Sequence, residues 1–422
     1  MTNSVPDKIS DYFEGVAAKY LTAVDADPGR SNQHEIGGLP KAGFRQWLGT
    51  PGKHEEYRFP VKQVYIRDED EIPLTCESEV TWYDARRNVL HRGPEYRLYY
   101  YDSEVTAQLS PGDFFLVAKL RDNSLFMVFT PAGSTVEYQL RAIFGLIEID
   151  QTLRAGNVNA IELQLPLRLA LESLGLQIAA HERSDSDWLD QLIAKFGGKV
   201  FPSTAEFSNF ARNSATDAPS PVDFPDQALM AWMEHEEKLF RIYERHIVKD
   251  KLQKGFGNNG ADVDDFIAFS LSVQNRRKSR VGHAFEGHIH HLLTIHGILF
   301  EQGRGKERFT ENNAKPDFLF PSFESYKNPA FSAEKLVMLG AKTTCKDRWR
   351  QVLSEAERIR IKHLITLEPA ISETQTKEMA AHNLKLVIPE NIQATYSLSQ
   401  RASLITLKQF IRHVKSLQEQ SK

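Results

Sequence analysis

The sequence predicts a mainly β amino-terminal half and an α/β carboxy-terminal half whose central sheet is covered by helices. Between residues 57 and 145, aromatic and β-branched segments alternate with turn signals. After residue 227, short apolar runs typical of buried strands alternate with helical patterns. At 422 residues the chain is long enough for each half to bury its own core. We therefore expect two domains, residues 1–180 and 181–422.

Short strands follow one another in the amino-terminal half. Glu79–Tyr83 and Glu95–Tyr101 flank a loop that is rich in arginine. Phe114–Leu120 and Leu125–Thr130 are joined by the turn residues RDNS. A series of hairpins of this kind is typical of a compact β barrel or sandwich.

The carboxy-terminal half is predicted to contain long helices over Gln227–Lys251 and His283–His296. Four strands follow, and a helical stretch, Glu373–His382, lies between the last two. The predicted strands are Pro316–Phe320, Lys335–Thr343, His363–Leu367 and Lys385–Pro389. Strands that alternate with helices imply a sheet covered on both faces.

Composition limits the classes of function. The net charge of −4 gives no global sign of nucleic-acid binding, so a basic footprint must be local. Two such runs occur, Asn275–Arg280 and Lys342–Lys362, although a solvated face is the simpler interpretation of either one alone. The two cysteines, Cys76 and Cys345, lie far apart in the sequence and cannot form a disulfide framework or a four-ligand zinc site. No apolar run is long enough for a membrane span, and we expect a soluble, cytoplasmic protein.

Two acids and a lysine are predicted to meet at one edge of the central sheet. Asp317 opens an apolar strand, Lys342 ends the next strong strand, and Glu355 lies on the helix that begins at Trp349. Two carboxylates can hold Mg²⁺, while a lysine can orient a water and offset charge on phosphoryl oxygens. In the usual nuclease pattern, PD followed by (D/E)xK, an acid stands two residues before the lysine, but here that residue is Gly340. A salt-bridged surface is the alternative interpretation.

Three blocks together resemble the catalytic domain of EcoRII-type restriction endonucleases. They are SVQNRRKSRVGHAFE, KPDFLFP and AKTTCKDRWRQ, and the resemblance covers about residues 185–400. It implies the mixed central sheet of the PD…(D/E)xK restriction endonucleases, with the second acid moved onto the following helix. It further implies a homodimer that cuts both strands of a short double-stranded DNA site related to CCWGG, with Mg²⁺ as cofactor.

The same resemblance assigns roles to individual residues. Asp317, Lys342 and Glu355 would be catalytic, and Tyr326 matches a tyrosine implicated in the active site. Glu286 resembles an acid that this fold places beside the metal, so the metal ligands would be Asp317, Glu355 and Glu286.

DNA contacts are expected from two segments of the catalytic half. The residues that match a segment reading C·G pairs in the major groove are Lys346, Asp347 and Arg348. The basic run upstream adds Arg276, Arg277, Lys278 and Arg280.

A weaker resemblance links residues 20–145 to the effector-DNA-binding domain of the same enzymes, which has the pseudobarrel fold of plant "B-three" transcription factors. It rests on NQHEIGGLPK, the arginine loop and LSPGDFFLVAKL. It implies that a second copy of the site binds here and relieves an autoinhibition. The residues expected on DNA are Arg86, Arg87, Arg92, Glu95 and Arg97. An ordinary exposed hairpin is the alternative.

Other functions stay open at this point. The chain could be a sequence-specific DNA-binding protein with an inactive nuclease core, or a nuclease of the same fold that requires modified bases. Glu286 and His290 are spaced for a zinc site, but no HExxH signature is present. We expect the histidines of this helix to be exposed or to face DNA.

Overall fold

A computed structural model describes residues 8–26, 34–89, 91–158, 163–176, 178, 186–257, 260–305, 308–345 and 348–420. The chain separates into two compact units, residues 1–179 with 369–375 and residues 180–368 with 376–422. Within the described ranges, none of the helices combines the length and apolar character needed to cross a lipid bilayer.

The first unit is built on an eight-stranded sheet. Its strands are β1 (Phe13–Tyr20), β2 (Glu35–Ile36), β3 (Tyr57–Tyr65), β4 (Leu74–Asp84), β5 (Tyr96–Tyr100), β6 (Phe114–Leu120), β7 (Leu125–Thr130) and β8 (Arg154–Ala155). They lie in the order β2-β5-β4-β3-β7-β6-β1-β8. The β3–β7 pair is parallel and the others are antiparallel. This arrangement confirms the mainly β prediction and fits a pseudobarrel-like domain.

Alternating side chains of this sheet fill two cores. On β6, Phe114 and Leu116 belong to one apolar cluster, whereas Phe115 and Val117 belong to the other. Both faces are therefore buried, which explains why β6 and β7 are continuous apolar runs and were predicted with their observed bounds. The helices of this part are α1 (Ala23–Ala26), α2 (Arg45–Leu48), α3 (Thr135–Phe144) and α4 (Leu165–Ser173).

Strand β1 was not predicted from the sequence. Its residues, FEGVAAKY, include a glycine and two alanines, which are poor strand formers. Gly15 sits at an irregularity in the β1–β6 register, and a Cβ there would lie 2.0 Å from the ring of Trp47. Tertiary packing of Trp47 therefore requires a glycine where local propensity argues against a strand.

The second unit contains a four-stranded mixed sheet. Its strands are β9 (Phe318–Phe320), β10 (Val337–Lys342), β11 (Lys362–Thr366) and β12 (Leu384–Val387), in the order β12-β11-β10-β9. The β9–β10 pair is antiparallel, and the β10–β11 and β11–β12 pairs are parallel. All four strands were predicted, and the mixed α/β fold class is confirmed.

Helices account for most of the remaining chain. Before the sheet lie α5 (Ser186–Phe196), α6 (Thr204–Ser214), α7 (Pro225–Lys254) and α8 (Val263–Ile295). The later helices are α9 (Phe323–Lys327), α10 (Trp349–Leu353), α11 (Glu373–Ala381), α12 (Leu398–Arg401) and α13 (Leu407–Glu419). Helix α8 begins 20 residues before its predicted start at His283, and Asp262 caps it by accepting the Asp265 N–H at 2.9 Å.

A buried ionic cluster joins α7 and α8. Arg280 is 5% exposed and donates to both Glu236, at 3.3 Å, and Glu237. His288 is fully buried, with its Nε2 atom 2.9 Å from Glu236. The structure therefore places Arg280 in the core and not on a DNA-facing surface. The expectation that the histidines of this helix are exposed or face DNA is wrong for His288.

Candidate active site

The β9–β10 ladder brings Asp317 and Lys342 together. Asp317 directly precedes β9, and Lys342 is the last residue of the antiparallel partner β10. The Lys342 Nζ atom donates to Asp317 Oδ2 at 2.7 Å, and the Ala341 N–H donates to the same oxygen at 2.7 Å. The predicted neighbours are thus an ion pair at the end of a buried strand.

Glu355 reaches this site from a turn and not from a helix. Helix α10 ends at Leu353, and Ser354 is its C-cap. Ala356 then adopts a φ of 52°, in the left-handed region. The predicted helix extended too far because Ala356 and Ile359 continue the apolar spacing past the real helix end and are both buried. The placement of Glu355 on a helix was therefore wrong.

The Glu355 carboxyl group is buried without full compensation. Among the described residues, no group hydrogen-bonds to its Oε2 atom. Burial, and then the negative charge of Asp317, raises the pKa of Glu355 from 4.5 to about 7, while Lys342 and Lys362 oppose the shift. An unpaired carboxylate oxygen beside a second carboxylate favours a bound cation.

Packing explains why the position two residues before Lys342 is a glycine. A Cβ atom on Gly340 would lie 3.0 and 3.3 Å from the two Cγ atoms of Val352 on α10. A larger side chain at that position would need the Val352 side chain to shift by a few tenths of an ångström. Gly340 therefore leaves room for Val352, and Glu355 follows the end of the helix that carries Val352.

The donor set suits a magnesium ion that keeps much of its own hydration. In the described part of the chain, no three His, Cys, Asp or Glu side chains converge on one point. Mg²⁺ is commonly held by one or two carboxylates together with waters and substrate phosphates. Glu286 lies 2.7 Å from Arg304 in an ion pair. Its role as a metal ligand stays a prediction.

Comparisons with known proteins point to the same region. Residues 240–411 match a family model described as EcoRII C terminal. This segment is therefore similar to the C-terminal domain of EcoRII. The chain is 41% identical over 217 residues to the type II restriction enzyme EcoRII of Escherichia coli, covering 51% of each chain. It is 30% identical over 139 residues to the type II restriction enzyme SsoII of Shigella sonnei, covering 31% of this chain and 45% of that enzyme.

The chain thus spans about half the length of the curated relatives it matches. A solved structure, metal-depleted Ecl18kI in complex with uncleaved, modified DNA, superposes with a TM-score of 0.44 and 17% identity, over 57% of this chain and 86% of that one. That similarity is too low to argue from.

Tyr326 lies on α9, within the segment that matches the family model, and is 3% exposed. Its hydroxyl lies 2.6 and 2.7 Å from the two oxygens of Glu311, and it accepts the Arg358 N–H at 3.2 Å. Burial and the bond to Glu311 raise the pKa of Tyr326 far above its ordinary value, so the hydroxyl keeps its proton. The hydroxyl therefore bonds to the turn that follows Glu355.

Two residues near the site were missed from the sequence. Glu311 accepts the Tyr326 hydroxyl, and Lys362 begins β11 with its charge acting on Glu355. Burial lowers the pKa of Lys362. In the sequence, Lys362 directly precedes a predicted strand. That position could have indicated a lysine near the edge of the sheet. No local pattern marks Glu311, since tertiary folding alone brings it to Tyr326.

The residues expected to contact DNA near the site differ in exposure. Lys346 and Asp347 lie outside the described residues. Arg348 is exposed and donates to the Thr344 carbonyl and hydroxyl at 3.0 and 2.8 Å. On α8, Arg276 and Lys278 are exposed. The Cζ atom of Arg276 lies 4.2 Å from the centroid of the Phe201 ring. Arg277 is half-buried and pairs with Glu244 at 2.6 Å.

In the first unit, the five residues expected on DNA lie around one loop. The Glu95 carboxylate joins Arg86 and Arg97, and the hydrogen bond from Arg97 holds the pKa of Glu95 below its usual range. Arg97 also contacts Glu35 at 2.6 Å, and Arg87 contacts Glu56 at 2.7 Å. Arg92 is exposed. Acidic partners therefore fix the guanidinium groups of Arg86, Arg87 and Arg97.

The raised pKa of Glu355 makes stability depend on pH. Between pH 4.5 and about 7 the folded protein keeps a proton that the unfolded chain has lost, so the free energy of unfolding falls as the pH rises through this window. Glu355→Gln removes the titration. In EDTA, Glu355→Gln should exceed the wild type in free energy of unfolding by a larger margin at pH 8 than at pH 5. We expect the two margins to differ by about 1–3 kcal/mol.

Urea denaturation at pH 5, 6, 7 and 8 measures this difference. Glu357→Gln, at an exposed neighbour, is the matched control and should track the wild type. If the Glu355→Gln and wild-type profiles run parallel across the range, the carboxyl group does not titrate as described.

Proposed function

We propose that the chain is a type II restriction endonuclease that hydrolyses both strands of a short double-stranded DNA site related to CCWGG, with Mg²⁺. The observation that carries the proposal is the Lys342–Asp317 pair beside the buried carboxyl group of Glu355, inside the segment that matches the EcoRII C-terminal family model. We place this activity in the cytoplasm, consistent with two free cysteines.

In the proposed reaction, Asp317 and Glu355 would hold Mg²⁺, which would supply Lewis-acid stabilisation of the reacting phosphate. Glu355 would take part as the carboxylate, since its Oε2 atom has no hydrogen-bond partner among the described residues. Lys342 Nζ donates to the attacking water or to a phosphoryl oxygen, and its positive charge offsets the charge that develops there. The water oxygen bonds to phosphorus, the bond between phosphorus and O3′ breaks, and O3′ takes up a proton, which leaves a 5′-phosphate and a 3′-hydroxyl.

Cleavage of plasmid DNA that carries CCWGG and related sites tests the proposal. We expect discrete fragments that require Mg²⁺, and a loss of about 10²–10³-fold or more in rate for Lys342→Ala and Asp317→Asn. Lys385→Ala, at an exposed lysine on β12, should cut like the wild type. Retention of DNA without cleavage would favour an inactive binding protein, and cleavage of methylated plasmid alone would favour a modification-dependent nuclease.

DNA recognition is proposed to be shared between the units. In the catalytic half, Lys346, Asp347 and Arg348 would read base edges, and Arg276 and Lys278 would contact phosphates. Arg86, Arg87, Arg92, Glu95 and Arg97 would hold a second copy of the site in the first unit. The support is the clustering of these five residues around one loop, with Arg92 exposed.

Binding of that second copy is proposed to activate cleavage. A plasmid with one site should then be cut slowly, and an added duplex carrying the site should accelerate it. Arg86→Ala combined with Arg92→Ala should abolish the acceleration while leaving the unstimulated rate intact, because these residues lie outside the segment that matches the family model. A one-site plasmid cut at full rate without added duplex would refute activation.

A homodimer is proposed because a nearly palindromic duplex presents two equivalent strands. Helix α8 offers a self-complementary surface for it. In its carboxy-terminal part, one face is buried through Val281, Phe285 and Ile289. The same face continues toward the amino terminus through Val263, Ile267 and Leu271, which are 62%, 48% and 53% exposed. Antiparallel pairing centred on Ile267 would place Val263 against Leu271 of a second copy.

Sedimentation velocity tests this surface. The wild type should sediment as a dimer, and Ile267→Asp should shift it to a monomer because a charge would be buried at the centre of the contact. Leu398→Asp is the control, because Leu398 is 82% exposed and lies outside the proposed contact. This variant should remain dimeric. A dimer that survives Ile267→Asp would locate the interface elsewhere.

A further inference from the structure

Three consecutive backbone amides directly after Glu355 are bound by side chains from outside the turn. The acceptors are two polar residues that precede β9 and one tyrosine on α9. The bonds join the Ala356 N–H to Thr310 Oγ1, the Glu357 N–H to Glu311 Oε2 and the Arg358 N–H to the Tyr326 hydroxyl, each at 3.2 Å. A turn whose successive amides are all held by side chains has its backbone path fixed from outside.

The three acceptors act as one unit. The Tyr326 hydroxyl has a single proton, which it donates to Glu311, so it meets the Arg358 N–H as an acceptor. Burial opposes ionisation of Glu311, but the bonds from Tyr326 and from the backbone of the turn hold its pKa below the usual range. Glu311 therefore stays an acceptor for both partners.

The turn needs these bonds because its backbone is unfavourable alone. Ala356 is fully buried and has a φ of 52°, which costs an alanine about 1 kcal/mol or more. Each buried amide left without an acceptor would cost roughly a further 1–3 kcal/mol. The Arg358 guanidinium anchors the far side of the turn by donating to the carbonyl groups of Tyr326, Asn328 and Phe331.

The Oε2 atom of Glu355 lacks a hydrogen-bond partner among the described residues. The direction of its carboxyl group is therefore set by the backbone that carries it. We propose that Thr310, Glu311 and Tyr326 are positioning residues that hold the turn of Glu355, so that its carboxylate joins that of Asp317 at the metal. This inference rests on the proposed metal-dependent activity and assigns Tyr326 a positioning role in place of a chemical one.

Direct binding of Mn²⁺ to the full-length protein, measured by electron paramagnetic resonance, tests the inference without cleavage. Tyr326→Phe should weaken Mn²⁺ binding by about 5–10-fold. The same change should have no effect in a Glu355→Gln background, because the carboxylate being positioned is absent. Tyr396→Phe is the matched control: Tyr396 is also buried, and its hydroxyl donates to the Glu368 carbonyl at 2.6 Å. The control should lose thermal stability without losing Mn²⁺ affinity.

Thr310→Val removes a different acceptor and should give the same pattern, so the test does not depend on one variant folding. Equal Mn²⁺ affinity in Tyr326→Phe and Tyr396→Phe would overturn the inference. So would a further loss of affinity when Tyr326→Phe is added to Glu355→Gln.

Cleavage adds a second readout. For Tyr326→Phe, the half-saturating Mg²⁺ concentration should rise while the rate at saturating Mg²⁺ stays within about threefold of the wild type. A fall in the saturated rate with unchanged Mg²⁺ dependence would mean that Tyr326 touches the reacting atoms, and would refute the positioning role. A wild type that binds Mn²⁺ through Glu355 but cuts no DNA would refute the proposed function and leave the positioning role standing.

Discussion

The carboxyl group of Glu355, buried beside the carboxylate of Asp317, is the constraint on which the rest of the site depends. Burial raises the pKa of Glu355, and repulsion from the Asp317 carboxylate raises it further. The surrounding structure offsets these effects only in part, through the ion pair between Asp317 and Lys342 and through the charge of Lys362. A bound cation would complete the compensation, which is why the proposed function assigns a metal to this site.

The way in which the chain holds Glu355 explains several features that look unrelated in the sequence. Gly340 leaves room for Val352, so that α10 can pack on β10. The helix then stops after Leu353, and the left-handed Ala356 turns the chain. Glu311 and Tyr326 bind the amides of that turn. The left-handed conformation of Ala356 is unfavourable in isolation, and the hydrogen bonds to the turn offset its cost.

Much of this could be predicted from the sequence, and the failures have physical causes. The four strands of the mixed sheet and the pairing of Asp317 with Lys342 follow from apolar runs that mark buried strands. The end of α10 could not be predicted, because apolar spacing continues through Ala356 and Ile359. The burial of Arg280 depends on Glu236 and Glu237 of another helix. The sequence placed that arginine in a basic run, which suggested an exposed surface.

A crystal structure of the protein soaked with Mn²⁺, with the ion located by anomalous scattering, tests the central claim most directly. The account predicts one ion with oxygens of both Asp317 and Glu355 within about 2.5 Å, and the rest of its shell supplied by water or backbone carbonyls. An ion bound by Asp317 together with Glu286, with Glu355 turned away and still protonated, would contradict it.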